Sequence, residues 1–147
     1  MITPQRLLME KQALDYGFPN RYVMQNLNSA HAFVDLGLRT NSGRTYRLKI
    51  VLGDFPYSKP DVYVIYPTRL RDYDGKLLSD YGVSASMHLL TPDANNKIQL
   101  CHYSDKIWHS NVTLYKVALK CLVWLNAYDG HLRTGEPLDY FLKHQPL

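Results

Sequence analysis

The sequence predicts an α+β fold, and three observations predict it. Strand-like runs gather in the first half of the chain, a helical segment opens it, and a strong helical apolar stripe lies towards its end. Strands and helices segregated in this way build an antiparallel sheet with helices covering one side.

The opening helix spans about residues 4–16: Thr3 suits its N-cap, Pro4 its first turn and Gly17 its stop. Leu7, Leu8, Ala13, Leu14 and the stem of Lys11 form its apolar face. Two strands follow, Ala30–Leu38 and Tyr46–Leu52. The second sets Tyr46, Leu48, Ile50 and Leu52 on one face and Arg47 and Lys49 on the other. Asn41-Ser42-Gly43 between them is a hairpin signal, which makes the two runs antiparallel neighbours. The stretch Gly53–Pro60 carries two prolines and reads as a rigid turn into a third strand, Val62–Tyr66, which Pro67 stops. Residues 68–87 are polar, with an Asp74-Gly75 turn, and read as a surface insertion of a length usually functional or mobile. Residues 98–101 form a short extended stretch, and a loop with Trp108 follows. Leu114, Val117, Ala118, Cys121, Leu122 and Leu125 then make one helical stripe, with Lys116 and Lys120 pointing away and Gly130 ending the helix. A short helical turn over 138–142 follows Gly135-Glu136-Pro137.

The 147 residues, 46% hydrophobic and 20% charged, are expected to form one domain over 1–147, long enough to bury a core without disulfides. No apolar run is long enough for a membrane span. The N-terminus lacks a basic start followed by an apolar stretch, so no signal peptide is expected. The two cysteines, Cys101 and Cys121, make no disulfide framework, and a reduced, cytoplasmic protein is the natural reading. Net charge is +4 with the basic residues scattered, which argues against nucleic acid as the partner. His88, His102 and His109 flank Cys101 without zinc-site spacing, so no metal and no cofactor is expected.

Three segments together resemble the E2 ubiquitin-conjugating (UBC) family over nearly the whole chain. Phe55-Pro56-Tyr57-Ser58-Lys59-Pro60-Asp61-Val62 is similar to that family's Tyr-Pro-x-x-Pro-Pro-x-Val turn, with Lys59 replacing one proline. Thr91-Pro92-Asp93 precedes Cys101 at the spacing of the family's His-Pro-Asn. Trp108, Thr113, Leu114, Lys116 and Val117 resemble its Trp-x-x-x-x-Thr-Ile-x-Lys-Val segment. The resemblance implies a UBC-like fold and Cys101 as the thioester-forming nucleophile. A thiolate attacks an activated acyl group readily, and the thioester stays electrophilic towards an amine. A free thiol titrates near 8.5, so neighbouring positive charge or a base helps; His102, Lys106 and His109 are the near candidates. Cys121 lies on the core stripe and is expected to be inert packing.

Asp93 stands where the family carries its oxyanion-steadying asparagine, and a carboxylate repels an oxyanion. Three repairs are open: the Asn95 or Asn96 amide, an imidazole donor from His102 or His109, or backbone amides of 101–103. Asp93 itself can orient the incoming lysine or act as general base, or simply cap a turn. Trp108 reads as core packing, and Tyr103 as a groove lining. The missing asparagine and the histidine beside the cysteine resemble divergent, mostly bacterial E2-like proteins. Some of these work with an E1-like and a ubiquitin-like partner. Others serve CBASS-type antiviral systems, where the C-terminus of a cGAS-like nucleotidyltransferase is conjugated to target lysines, in some versions by a stand-alone E2. Two other classes compete: a non-catalytic UBC- or RWD-like adaptor, which Asp93 favours, and a Cys–His hydrolase, which needs a base held by a third group.

Overall fold

Thr3 Oγ1 accepts the Arg6 N–H at 3.2 Å and Pro4 fills the first turn, so α1 runs Pro4–Gly17 in the computed structural model, which describes residues 2–143. Met1 and residues 144–147, which the expectation of one domain over 1–147 included, lie outside the described residues. The buried face of α1 differs from the expected one. Leu14 and Glu10 are wholly buried, whereas Leu8 and Lys11 are exposed. The reason is a cap. Glu10 Oε1 accepts the Leu114 N–H at 2.7 Å and Oε2 pairs with Arg6 Nε at 2.7 Å, so a carboxylate closes the N-terminus of the next long helix from inside. Gly17 is the last helical residue rather than a left-handed stop. A Cβ there would lie 2.1 Å from the Tyr115 ring, so close approach of that ring is what its missing side chain permits.

Six strands follow: β1 Tyr22–Gln25, β2 Phe33–Arg39, β3 Thr45–Val51, β4 Asp61–Tyr66, β5 Leu89–Leu90 and β6 Gln99–Leu100. They form one antiparallel sheet in the order β1-β2-β3-β4-β6-β5. The expected hairpin joins β2 to β3, with Thr40 and Gly43 closing the turn and Leu36 opposite Leu48. Strands β1 and β5 lie outside the three-strand expectation. Each is an edge strand of four and two residues, too short for its alternation to stand out. The inward residues Val34, Leu36, Leu48, Ile50 and Val62 are wholly buried.

Helix α2, Leu114–Thr134, supplies the other side of the core through Leu114, Val117, Ala118, Cys121 and Leu125. Burial of each large apolar side chain is worth about 1.5–3 kcal/mol. The helix does not end at Gly130. It runs through it to a left-handed Gly135 at φ 81°, because α3, Leu138–Lys143, folds back and seats Phe141 on Gly130. A Cβ at Gly130 would lie 2.7 Å from the Phe141 ring, so the glycine is a contact point, not a stop signal.

Residues 68–87 are more ordered than a surface insertion. Leu70, Leu78 and Met87 are buried in the core, and a 3-10 turn spans Leu78–Tyr81. Asp72 fixes the rest: it accepts from the Asp74 and Lys76 N–H groups at 2.9 and 2.8 Å and from the Tyr81 hydroxyl at 2.6 Å. Among the described residues no helix is long and apolar enough to cross a membrane.

Candidate functional site around Cys101

Cys101 follows β6 and is held by the sheet. Its N–H donates to the His88 carbonyl at 3.0 Å, one step beyond the pairs Leu89–Leu100 and Leu90–Gln99. Its side chain is partly exposed and lines an open cleft of about 280 Å³ with His88, His102, Lys120, Trp124 and Leu142. Pockets for small molecules start at about 300 Å³ and bury most of the ligand. An open cleft of this size suits a chain end and an amine side chain better than an enclosed metabolite. Cys121 is the opposite case. It is wholly buried on the core side of α2, and burial pushes its thiol far above the ordinary cysteine value.

The segment after Cys101 is fastened to the proline-rich turn by three hydrogen bonds. His102 Nε2 donates to the Pro60 carbonyl at 2.7 Å, Lys59 Nζ to the Tyr103 carbonyl at 2.8 Å, and Trp108 Nε1 to the Pro56 carbonyl at 3.1 Å. Two of the stretches that carry the E2 resemblance are therefore in contact on either side of the cysteine. Tyr103 sits edge-on to Trp108 with centroids 5.7 Å apart, and Lys120 Nζ lies 5.2 Å from the Tyr103 ring centroid. Trp108 also packs against buried Phe55.

The structure brings two of the four sequence-predicted site residues together. Cys101 and His102 share the cleft. His102 is largely enclosed, and burial lowers its basicity below the ordinary imidazole value. It is therefore neutral at pH 7. With Nε2–H committed to Pro60, its Nδ1 is buried and makes no hydrogen bond. Asp93 and His109 are placed elsewhere. Asp93 Oδ1 accepts the Asn95 and Lys97 N–H groups at 2.9 and 2.8 Å, closing its own turn, and no hydrogen bond ties it to Cys101. His109 is exposed in the turn leading to α2 and does not line the cleft. Asn95 and Asn96 face a different depression, of about 440 Å³, beside Arg69 and Asp80.

Sequence reasoning missed one pair. His88 Nε2 lies 3.0 Å from Asp139 Oδ1, whose other oxygen pairs with Lys143 Nζ at 3.0 Å. Hydrogen bonds from His88 first and Lys143 second hold the Asp139 carboxyl below the usual carboxylate range. In sequence His88 was only one of the histidines flanking Cys101, with nothing to pair residues 88–90 with 99–101, and Asp139, in the tail, carried no signal.

No family model, no curated protein and no solved structure matches the chain. The chemistry of the cleft therefore rests on its own residues. Among the described residues no group of three or more His, Cys, Asp and Glu side chains is arranged to hold a metal ion.

Proposed function

We propose that this chain is an E2-like conjugating enzyme that carries an acyl group as a thioester on Cys101 and passes it to a target amine. The observation that carries this reading is the contrast between its two thiols: Cys101 opens into a cleft with two imidazoles and a lysine, while Cys121 is sealed in the core. The element order supports a UBC-like form of the α+β fold: helix α1, a meander β1 to β4, then the cysteine and the C-terminal helices. The acyl donor is a protein C-terminus, from a ubiquitin-like protein or a cGAS-like nucleotidyltransferase, with or without an E1-like protein to load it. The setting is bacterial antiviral defence, and the acceptor is a target lysine.

Asp93 does not hold an oxyanion in this scheme. Its carboxylate is occupied by its own turn, both cleft imidazoles have their N–H committed, and the backbone N–H groups that follow Cys101 supply the donors. The test is acyl transfer from an aryl thioester of acetylglycine, followed by intact and peptide mass. The expected result is a thiol-reversible acyl group on Cys101, formed faster than on free N-acetylcysteine and absent from Cys101→Ala. A chain that acylates no faster than N-acetylcysteine is instead an adaptor that binds partners without chemistry.

A further inference from the structure

We propose that His88, oriented by Asp139, is the base that takes the proton from the amine attacking the Cys101 thioester. The inference rests on the reading of Cys101 as an acyl carrier and assigns the catalytic base of that same cleft.

A backbone hydrogen bond at the end of the sheet sets the placement. One residue beyond the β5–β6 pairs, the Cys101 N–H donates to the His88 carbonyl at 3.0 Å. His88 stands just before β5 with a left-handed backbone at φ 52°, so that bond and the shared cleft, rather than strand pairing, are what bring the two residues together. Both side chains line the cleft.

Asp139 sets the tautomer. An ionised carboxylate only accepts, so the 3.0 Å contact to Nε2 requires the proton there and leaves the lone pair of the neutral ring on Nδ1. Asp139 is itself anchored to the same hairpin, since its N–H donates to the Ser86 carbonyl at 3.0 Å, and Lys143 holds its second oxygen. A nucleophilic thiol, an imidazole and a carboxylate that orients the imidazole are the parts of a Cys–His–Asp constellation. The third group that a histidine base requires is therefore present.

His102 is the poorer base, although it is next in sequence. Its Nε2–H is spent on Pro60, its Nδ1 is sealed from solvent, and burial disfavours its protonated form. Two imidazoles in one cleft with different surroundings take different roles. His102 fastens the loop and His88 handles the proton.

The step balances without any further reactant. The amine nitrogen forms a bond to the thioester carbonyl carbon and gives a proton to His88 Nδ1. The tetrahedral adduct then collapses, the C–S bond breaks, and its electron pair goes to Cys101 Sγ, which takes the proton back from His88. The products are an amide and the free thiol.

The experiment compares two acceptors on chain pre-loaded with the acetylglycine aryl thioester and desalted. Both acceptors attack as neutral amines, but the lysine adduct carries a strongly basic nitrogen that keeps its proton until a base removes it, whereas the weakly basic nitrogen of the hydroxylamine adduct gives its proton to water. Discharge is followed by intact mass for wild type, His88→Asn and Asp139→Asn. Asparagine suits the left-handed backbone of His88 at φ 52°. The side chains of His88 and Asp139 are 32% and 37% exposed, so neither variant opens the core. The expected result is a lysine-to-hydroxylamine rate ratio lowered about 100-fold in His88→Asn, the usual scale of general base catalysis. Asp139→Asn is expected to lower the same ratio too, because an amide no longer fixes the proton on Nε2 and the lone pair on Nδ1. A merely structural role slows both acceptors equally, and an unchanged ratio overturns the proposal. Wild type that takes no acyl group on Cys101 overturns the acyl-carrier reading and this inference with it.

Discussion

At the scale of single residues, burial separates the two thiols before any chemistry does. Cys121 has no exposed surface and a thiol pushed strongly towards its neutral form. Iodoacetamide is therefore expected to label Cys101 in the native protein and Cys121 only after unfolding, which peptide mapping of a time course reads directly. Asp129 is a second case where surroundings decide. It is buried and accepts from the hydroxyls of Thr40, Ser42 and Tyr46 at 2.5, 2.6 and 2.7 Å, tying the β2–β3 hairpin to α2. Its 3.8 Å contact to half-exposed Arg44 adds little beside these. Asp129→Ala strands buried hydroxyls and is expected to cost about 2–4 kcal/mol in a urea titration. Asp72 governs an acid response. Partial burial opposes its charge, but bonds from Tyr81 and from the Lys76 and Asp74 N–H groups outweigh it and lower its pKa. A carboxyl lowered in the folded state adds stability that is complete above the unfolded value of about 3.9 and is lost as pH falls through the folded one. The melting temperature is expected to drop below about pH 4, and less steeply in Asp72→Asn.

At the scale of elements, the C-terminal helix links stability to the site. Gly130→Ala gains about 1 kcal/mol of helix propensity but drives a methyl into the Phe141 ring, and overpacking costs about 1–3 kcal/mol. The clash wins: a melting point a few degrees lower is expected, with slower discharge to lysine, because α3 also carries Asp139. The same contact explains why the end of α2 was misplaced in sequence. A glycine followed by polar residues reads as a stop, and the ring that requires that glycine comes eleven residues later, at Phe141. The long alternating strands and the α2 stripe were legible because period alone specifies them. Strands β1 and β5 were not, since a strand of two residues exists only through its partner. Glu10 was hidden for a related reason. A charged residue on an apolar helix face looks misplaced until the helix N-terminus it caps is in view.

At the scale of the whole molecule, the site is assembled from five separated stretches: 55–60, the hairpin at 88, the cysteine with its following loop, the exposed side of α2, and α3. Cys101 and His102 were legible because motif spacing and adjacency in sequence both mark them. His88 and Asp139 are 51 residues apart, and only the fold joins them. Asp93 and His109 show the converse: nearness to the cysteine in sequence did not become nearness in the cleft. The central claim is that Cys101 carries an acyl group, and one measurement tests it most directly. Cys101→Ser, produced in the native host with its neighbouring genes expressed, converts a labile thioester into a durable oxyester that intact mass detects. The account predicts a hydroxide-labile adduct at that position, with the mass of a ubiquitin-like protein or a nucleotidyltransferase. A chain of unmodified mass would contradict it and leave a fold that binds partners without chemistry.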